Sequence, residues 1–318
     1  MELGLTRIQA PPGLELVANS GPDAFDQMLE FFSTQIRNRH TRTAYQQAVR
    51  SFLRWVQSTN VQTLTDIRPI HVAAWVEAMR DIYAIPTVKL SLTAVTVLFD
   101  WFVLKQVVPS NPAKSVRSPR YSIQTGKTPV LSAAQARMLL DAIDCTTVIG
   151  RRDKALISLM LYTFVRVGAA LSMKKGDVLQ RQHRMWVRLM EKGGKSHEMP
   201  CHHELEDTLR EYLIDCESAS DAAYLFRSVD RSSQLSGKRL QSANAYQRVQ
   251  VHARAAGLDC HVTSHSFRAT GITTYLSNKG TLELAAKMAN HSSTRTTQLY
   301  DRRHDAIAVA EVERIRFE

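Results

Sequence analysis

Residues 290 to 300 read Asn290-His-Ser-Ser-Thr-Arg-Thr-Thr-Gln-Leu-Tyr300, and upstream of them stands His265-Ser-Phe-Arg268. A tyrosine phenol, with a pKa near ~10, is a poor nucleophile at neutral pH unless cations and a base surround its target. The residues around Tyr300 are of those types. His265 and Arg268 are three apart on a predicted helix, so both side chains leave one face toward a common point. Arg166 follows the apolar run 159–165, an uncomfortable place for a guanidinium unless it serves a buried site or a salt bridge. Lys192 falls in the turn of a predicted hairpin, where a lone lysine would ordinarily just be solvated. Taken together, Arg166, Lys192, His265, Arg268, His291 and Tyr300 point to phosphoryl transfer on nucleic acid.

The rest of the pattern is mainly α with a small β-sheet. Phe25, Met28, Leu29, Phe32 and Ile36 keep helical spacing, as do Tyr45, Val49, Phe52, Leu53 and Val56. Two further helices carry Val72, Trp75, Val76 and Met79, then Val88, Leu92, Val95, Leu98, Phe99 and Phe102, before the stop Pro109-Ser-Asn-Pro112. The aromatic stripes read as core packing. Residues 1–22, interrupted by Pro11, Pro12 and Gly13, read as a flexible leader, and 23–112 as a helical domain. Between 113 and 129 the periodicity lapses and Lys114, Arg117, Arg120 and Lys127 appear without an acidic residue, which predicts a basic linker able to follow phosphates. A second domain spans 130–303. It opens on a capping box, Ser132 with Gln135, and continues through helices over 133–143 and 153–164. Alternation of Met185, Val187 and Leu189 with polar neighbours then predicts a strand, and Gly193-Gly194 a hairpin turn between Lys192 and Lys195. Helices return at about 204–214, 243–256, 264–276 and 281–289. Ala308, Val312 and Ile315 give 304–318 one apolar stripe, hence a carboxyl-terminal helix that must bury it somewhere.

Composition favours a polyanion as partner. The 318 residues carry 41 Lys+Arg against 30 Asp+Glu, a formal charge of +11. The four cysteines, Cys145, Cys201, Cys216 and Cys260, contain no CxxC pair, which suits a reducing compartment rather than a disulfide framework. Cys201-His202-His203 lacks a second close pair for zinc, so no metal site is expected. No run reads as reaching the ~18 apolar residues of a membrane span.

In order and spacing, Thr163-Phe-Val-Arg166, Lys192, His265-Arg268, His291 and Tyr300 resemble the tyrosine recombinase (phage integrase) family, whose pattern is a "T-G-x-R" arginine, a hairpin lysine, an H-x-x-R box, a later histidine or tryptophan and a tyrosine nine residues on. The resemblance covers roughly residues 24 to 302. It implies a SAM-like core-binding domain followed by the catalytic domain, and a reaction without cofactor or metal. It makes Tyr300 the nucleophile of a 3′-phosphotyrosyl intermediate, with Arg166 and Arg268 on the nonbridging oxygens. Lys192 would protonate the leaving 5′-oxygen, His265 would accept or relay the tyrosine proton, and His291 would donate to the phosphate. Arg42, Thr43, Lys114, Arg117, Arg120 and Lys195 are the further DNA-contact candidates, Lys195 also being the alternative general acid. Three departures stand out: Arg166-Val-Gly-Ala169 lacks the family's "R-x-x-E" acid, Asn290 replaces the usual glycine before the histidine, and the hairpin offers a second lysine.

The two-domain plan resembles Cre and the Xer recombinases, whereas Asn290 and Tyr300-Asp-Arg-Arg303 look more like enzymes of mobile elements. The resemblance implies a bacterial, cytoplasmic, nucleoid-associated protein. Its partner would be double-stranded DNA at an inverted-repeat core site, with a homotetramer at synapsis and the carboxyl-terminal helix docking in trans. It leaves room for a directionality factor. A non-catalytic DNA-binding protein, a type IB topoisomerase and a telomere resolvase are the competing readings.

Overall fold

The computed structural model of the chain describes residues 14–21, 23–121, 126, 128–190, 194 and 196–301. The chain divides into two compact units, residues 1–122 and 123–318.

The first unit is helical: α1 (Glu15–Ala18), α2 (Ala24–Glu30) running into a wider turn over Phe31–Gln35, α3 (Arg39–Gln57), α4 (Pro69–Arg80) and α5 (Ile85–Leu104). Asn38 starts α3 by accepting hydrogen bonds from the backbone of His40 and Thr41 at 2.9 and 3.1 Å, and Pro69 sits in the first turn of α4, where a missing N–H costs nothing. Phe52 is the hub of the core. It meets Trp75 and Phe99 edge-on at 4.9 and 6.2 Å.

Three expectations are corrected in this unit. The stretch read as a flexible leader supplies Leu14, Leu16 and Val17 to the core, because a single helical turn after Gly13 suffices to bury three apolar side chains. The linker read from 113 onward begins later. Ala113 is buried and Val116 packs on the same core, while Lys114 pairs with Asp100 at 3.3 Å. Finally, α5 is long and apolar enough to cross a membrane by length and composition. Its Val88, Leu92, Val95, Leu98, Phe99 and Phe102 are instead buried in the domain core, so the length is that of a central core helix.

In the second unit the order is α6 (Ala133–Asp141), α7 (Val148–Thr163), α8 (Val167–Ser172), β1 (Val178–Arg181), β2 (Arg184–Met190), β3 (Ser196–Pro200), α9 (His203–Ile214), β4 (Arg227–Val229), β5 (Leu235–Arg239), α10 (Ser242–Ala255), α11 (Ser264–Ser277), α12 (Leu282–Met288) and α13 (Thr294–Gln298). Strands β1, β2 and β3 form an antiparallel sheet. Met185, Val187 and Leu189 face the core, as their alternation requires. The β4–β5 hairpin was not visible in the sequence: its strands are short, and its turn is held by the Asp230 carboxylate, which accepts from the backbone of Ser232 and Gln234 at 2.8 and 3.1 Å. Helix α7 begins earlier than expected because the Thr147 hydroxyl caps Gly150 N at 3.0 Å.

Helix α7 is buried on almost every face and organises the unit. At its end it touches α11 through Gly271, where a Cβ would overlap the Leu161 carbonyl oxygen and the Phe164 ring. At its start, Asp153, 2% exposed, binds Arg152 and Arg248 at 2.7 Å each and His252 at 2.9 Å, and Arg152 also donates to the Arg227 carbonyl at 3.0 Å. The cluster pins α10 and β4 to α7. Burial alone would raise the Asp153 carboxyl, but His252, Arg152 and Arg248 together hold it below the usual carboxylate range.

Removing one member leaves the others buried without their counter-charge. Asp153→Ala should therefore cost about 3–5 kcal/mol of stability, read from the urea midpoint at pH 7. Because the folded pKa is depressed, the wild-type contribution is present above the unfolded value of about 3.9 and lost as pH falls through the folded value. An acid-unfolding curve should show that loss for the wild type and lack it for the variant.

Candidate active site

Helix α11 starts at a capping box in which Thr263 accepts from Ser266 N at 3.3 Å and Ser266 accepts from Thr263 N at 3.0 Å. This fixes the phase of the helix. His265 then lies on its exposed side, while Arg268, one turn on, points inward and is 1% exposed. The Arg268 guanidinium donates to the carbonyls of Phe164 and Ala289 and to Nε2 of His291 at 2.6 Å. Phe164 is the left-handed residue that ends α7, and Ala289 ends α12 just before left-handed Asn290. The cation therefore fills the point where two helices present their unsatisfied last carbonyls and the negative ends of their dipoles.

Asparagine at 290 fits this geometry, since its φ is +46° and asparagine is one of the few non-glycine residues that visit that region readily. The turn it makes delivers His291. An arginine N–H can only donate, so Nε2 of His291 is a lone pair and the proton resides on Nδ1, which donates to Thr297 Oγ1 at 2.8 Å. Burial, then the charges of Arg268 and Arg166, push the His291 pKa down to about 3. In this state His291 offers no proton to a phosphate from Nε2, in contrast to the donor role expected of it. His265 is lowered by partial desolvation and by the same two arginines. It is thus neutral near pH 7 and able to accept a proton.

Tyr300 is half-buried. Its ring stacks on His291 with centroids 5.7 Å apart and planes 13° from parallel, and its carbonyl accepts from Thr273 Oγ1 at 2.6 Å. Arg166, half-buried at the N-cap of α8, makes its charge felt at both histidines. The structure so brings Arg166, His265, Arg268, His291 and Tyr300 together. Lys192 and Lys195 lie outside the described residues, between β2 and β3. Among the DNA-contact candidates, Arg42 donates twice to the Ile36 carbonyl at 2.9 and 2.8 Å, exposed Thr43 donates to the Arg39 carbonyl at 3.1 Å, and Arg117 and Arg120 are exposed.

Sequence reasoning passed over Thr297, Thr273 and Phe164. Thr297, on α13, lies three residues before Tyr300, a helical spacing that could have placed it beside that tyrosine; Phe164 stands where the "T-G-x-R" pattern has glycine, and nothing comparable marks Thr273. The Cys201-His202-His203 run serves packing: Cys201 is buried and His202 stacks on Tyr162 at 4.5 Å. Among the described residues no three His, Cys, Asp or Glu side chains converge.

Family models match both units, the phage integrase family over residues 129–306 and the phage integrase N-terminal SAM-like domain over 25–106. The chain belongs to the phage integrase family, and by that membership it is a tyrosine site-specific recombinase. Tyrosine recombinase XerD of Corynebacterium glutamicum is 24% identical over 275 residues, covering 82% of this chain and 86% of the relative. XerC of Yersinia pestis is 26% identical over 217 residues, 67% of each. Among solved structures, XerH bound to a palindromic difH substrate in a post-cleavage complex superposes with TM-score 0.72 at 16% identity over 97% of each chain. A lambda integrase dimer bound to a COC′ core site gives 0.69 at 17% identity, over 90% of this chain and 98% of that one. These likenesses are of fold.

The Thr297 hydroxyl is the only partner found for Nδ1 of His291 among the described residues. Thr297→Val keeps the volume and strands that N–H, which should destabilise the protein by about 1–3 kcal/mol and slow DNA cleavage about tenfold to a hundredfold by freeing the ring. Calorimetry and single-turnover cleavage check the two effects. A second expectation concerns pH. His291 binds its proton more tightly unfolded than folded, so stability falls as pH drops below about 6.5, and His291→Asn should flatten that slope in pH-dependent unfolding.

Proposed function

We propose that this chain cuts and rejoins duplex DNA through a covalent 3′-phosphotyrosyl intermediate, and that it does so for a mobile element. The observation carrying the reading is the alignment of Tyr300 on His291, which Arg268 in turn holds. Tyr300 Oη attacks the scissile phosphorus, the bond to the 5′-oxygen breaks, and the phenolic proton passes to neutral His265. Arg166 and Arg268 fork onto the nonbridging oxygens, where planar guanidinium donors match the charge that grows in the transition state. Lys192 protonates the departing 5′-oxygen. The positive charge of these groups stands in for a metal ion, and the phosphotyrosyl bond conserves the energy needed for rejoining.

The DNA-bound complexes of XerH and lambda integrase, including a lambda integrase tetramer on a Holliday junction, support duplex DNA as the substrate and a homotetramer as the synaptic form. The basic segment with Lys114, Arg117 and Arg120 is proposed to follow phosphates, and Arg42 and Thr43 to approach the same duplex. The carboxyl-terminal segment 304–318 lies outside the described residues, and its docking on a neighbouring protomer is part of the proposal. Mobile-element service rests on Asn290 and Tyr300-Asp-Arg-Arg303, and action in the bacterial cytoplasm on the Xer relatives. A directionality factor would be compatible with that service.

The core site is to be selected from a random-sequence duplex pool and bounded by nuclease protection. On a suicide duplex nicked beside the cleavage point, the wild type should form a denaturant-resistant adduct in excess chelator, while Tyr300→Phe binds equally and forms none. Adduct from the phenylalanine variant would overturn the reading. With a 5′-bridging sulfur, whose departure needs no proton, Lys192→Ala should recover cleavage and Lys195→Ala should be little affected on either duplex. The reverse would reassign the general acid.

A further inference from the structure

Phe164 stands where the chain leaves α7, with φ +57° and ψ +18°. In this region a bulky L side chain is strained, whereas glycine is at ease. Yet the residue is 3% exposed. Its ring occupies the space that a Cβ on Gly271 would need, and it meets the Tyr275 ring edge-on at 6.3 Å and 63°. With Ile272, Leu276, Ala285 and Ala289 it forms a small apolar cluster separate from the main core of the unit, and Tyr300 packs against that cluster. The carbonyl of the same residue accepts from Arg268. One side chain therefore grips α11, α12 and the nucleophile's segment while its own backbone holds a catalytic arginine, two residues before Arg166.

Strained backbone persists where its surroundings over-determine it, and such residues cluster at active sites. We propose that Phe164 is a positioning residue of the cleavage reaction: its buried ring locks the left-handed end of α7 so that its carbonyl aims Arg268 at the scissile phosphate. The proposal rests on the tyrosine recombinase reading and deepens it. Main-chain strain and side-chain packing act in one direction here. The ring gives the turn its hold on α11, and the turn gives Arg268 its acceptor.

Substitution separates these two parts. Phe164→Gly relaxes the backbone and removes the ring, whereas Phe164→Leu keeps apolar volume at the strained position and serves if the glycine variant does not fold. Each is compared with the wild type and Arg268→Ala on two suicide duplexes carrying the selected core site, one with an ordinary scissile phosphate and one with a methylphosphonate there. The methyl group replaces a charged nonbridging oxygen, so the guanidinium has less charge to neutralise on that duplex. A displaced Arg268 predicts that Phe164→Gly slows cleavage about tenfold to a hundredfold on the phosphodiester and by about threefold or less on the methylphosphonate, with DNA binding unchanged. Arg268→Ala should show the same selectivity more strongly, and Phe164→Leu the same selectivity more weakly. Equal slowing on both duplexes, or cleavage within about twofold of wild type on the phosphodiester, would overturn the positioning role. Failure of the wild type to form an adduct on either duplex would instead remove the tyrosine recombinase reading itself.

Discussion

The burial of one guanidinium decides the arrangement of the catalytic unit. An arginine withdrawn from water is stable only where its hydrogen bonds and its charge are both answered, and Arg268 is answered by the ends of α7 and α12 together with His291. Each of those helices has to stop where it does, with a left-handed residue freeing the last carbonyls to turn inward. The chain leaving α7 then enters Arg166, and the chain leaving α12 enters His291. Satisfying one buried cation thus places two further residues of the candidate site, and the stacking of Tyr300 on His291 places a fourth.

The same contacts describe a resting site. Nε2 of His291 is occupied by Arg268 and Nδ1 by Thr297, so a phosphate reaching His291 exchanges partners with the protein. Exchange yields a small net free energy, because hydrogen bonds are given up as others form. Affinity for DNA must then come chiefly from contacts along the duplex, where basic charge releases counterions. On the proposed function, chemistry at Tyr300 is in this way separated from the energy that holds the DNA.

Much of this was legible in the residues. Helical periodicity located α3, α4 and α5 because each buries an apolar stripe, and the chemical groups were readable because phosphate-binding and proton-transfer residue types stand in a recognisable order and spacing. Short elements escaped: β4 and β5 are held by turn chemistry at Asp230 rather than by alternation, and α8 has too few turns to show a period. Leu14, Leu16 and Val17 read as leader because a single buried turn leaves no pattern. The tautomer of His291 and the role of Thr297 depend on distances between elements, which spacing along a chain does not contain. Asp153 looked like an ordinary helix residue until α10 brought Arg248 and His252 beside it.

Gly271 and Phe164 carry a consequence for descent. In this structure a side chain at 271 is barred by the Leu161 backbone as well as by the Phe164 ring. Residue 164 is constrained by its own left-handed backbone, and its aromatic ring fits only because 271 is bare. The two positions therefore have a direction in time. A lineage already holding glycine at 271 was free to gain an aromatic at 164, whereas one with any larger residue at 271 had no path to it. Chains that keep the glycine of the "T-G-x-R" stretch at the position of Phe164 lack the ring that fills this space, so a larger residue at 271 should accompany that glycine, and an aromatic at 164 should accompany a bare 271.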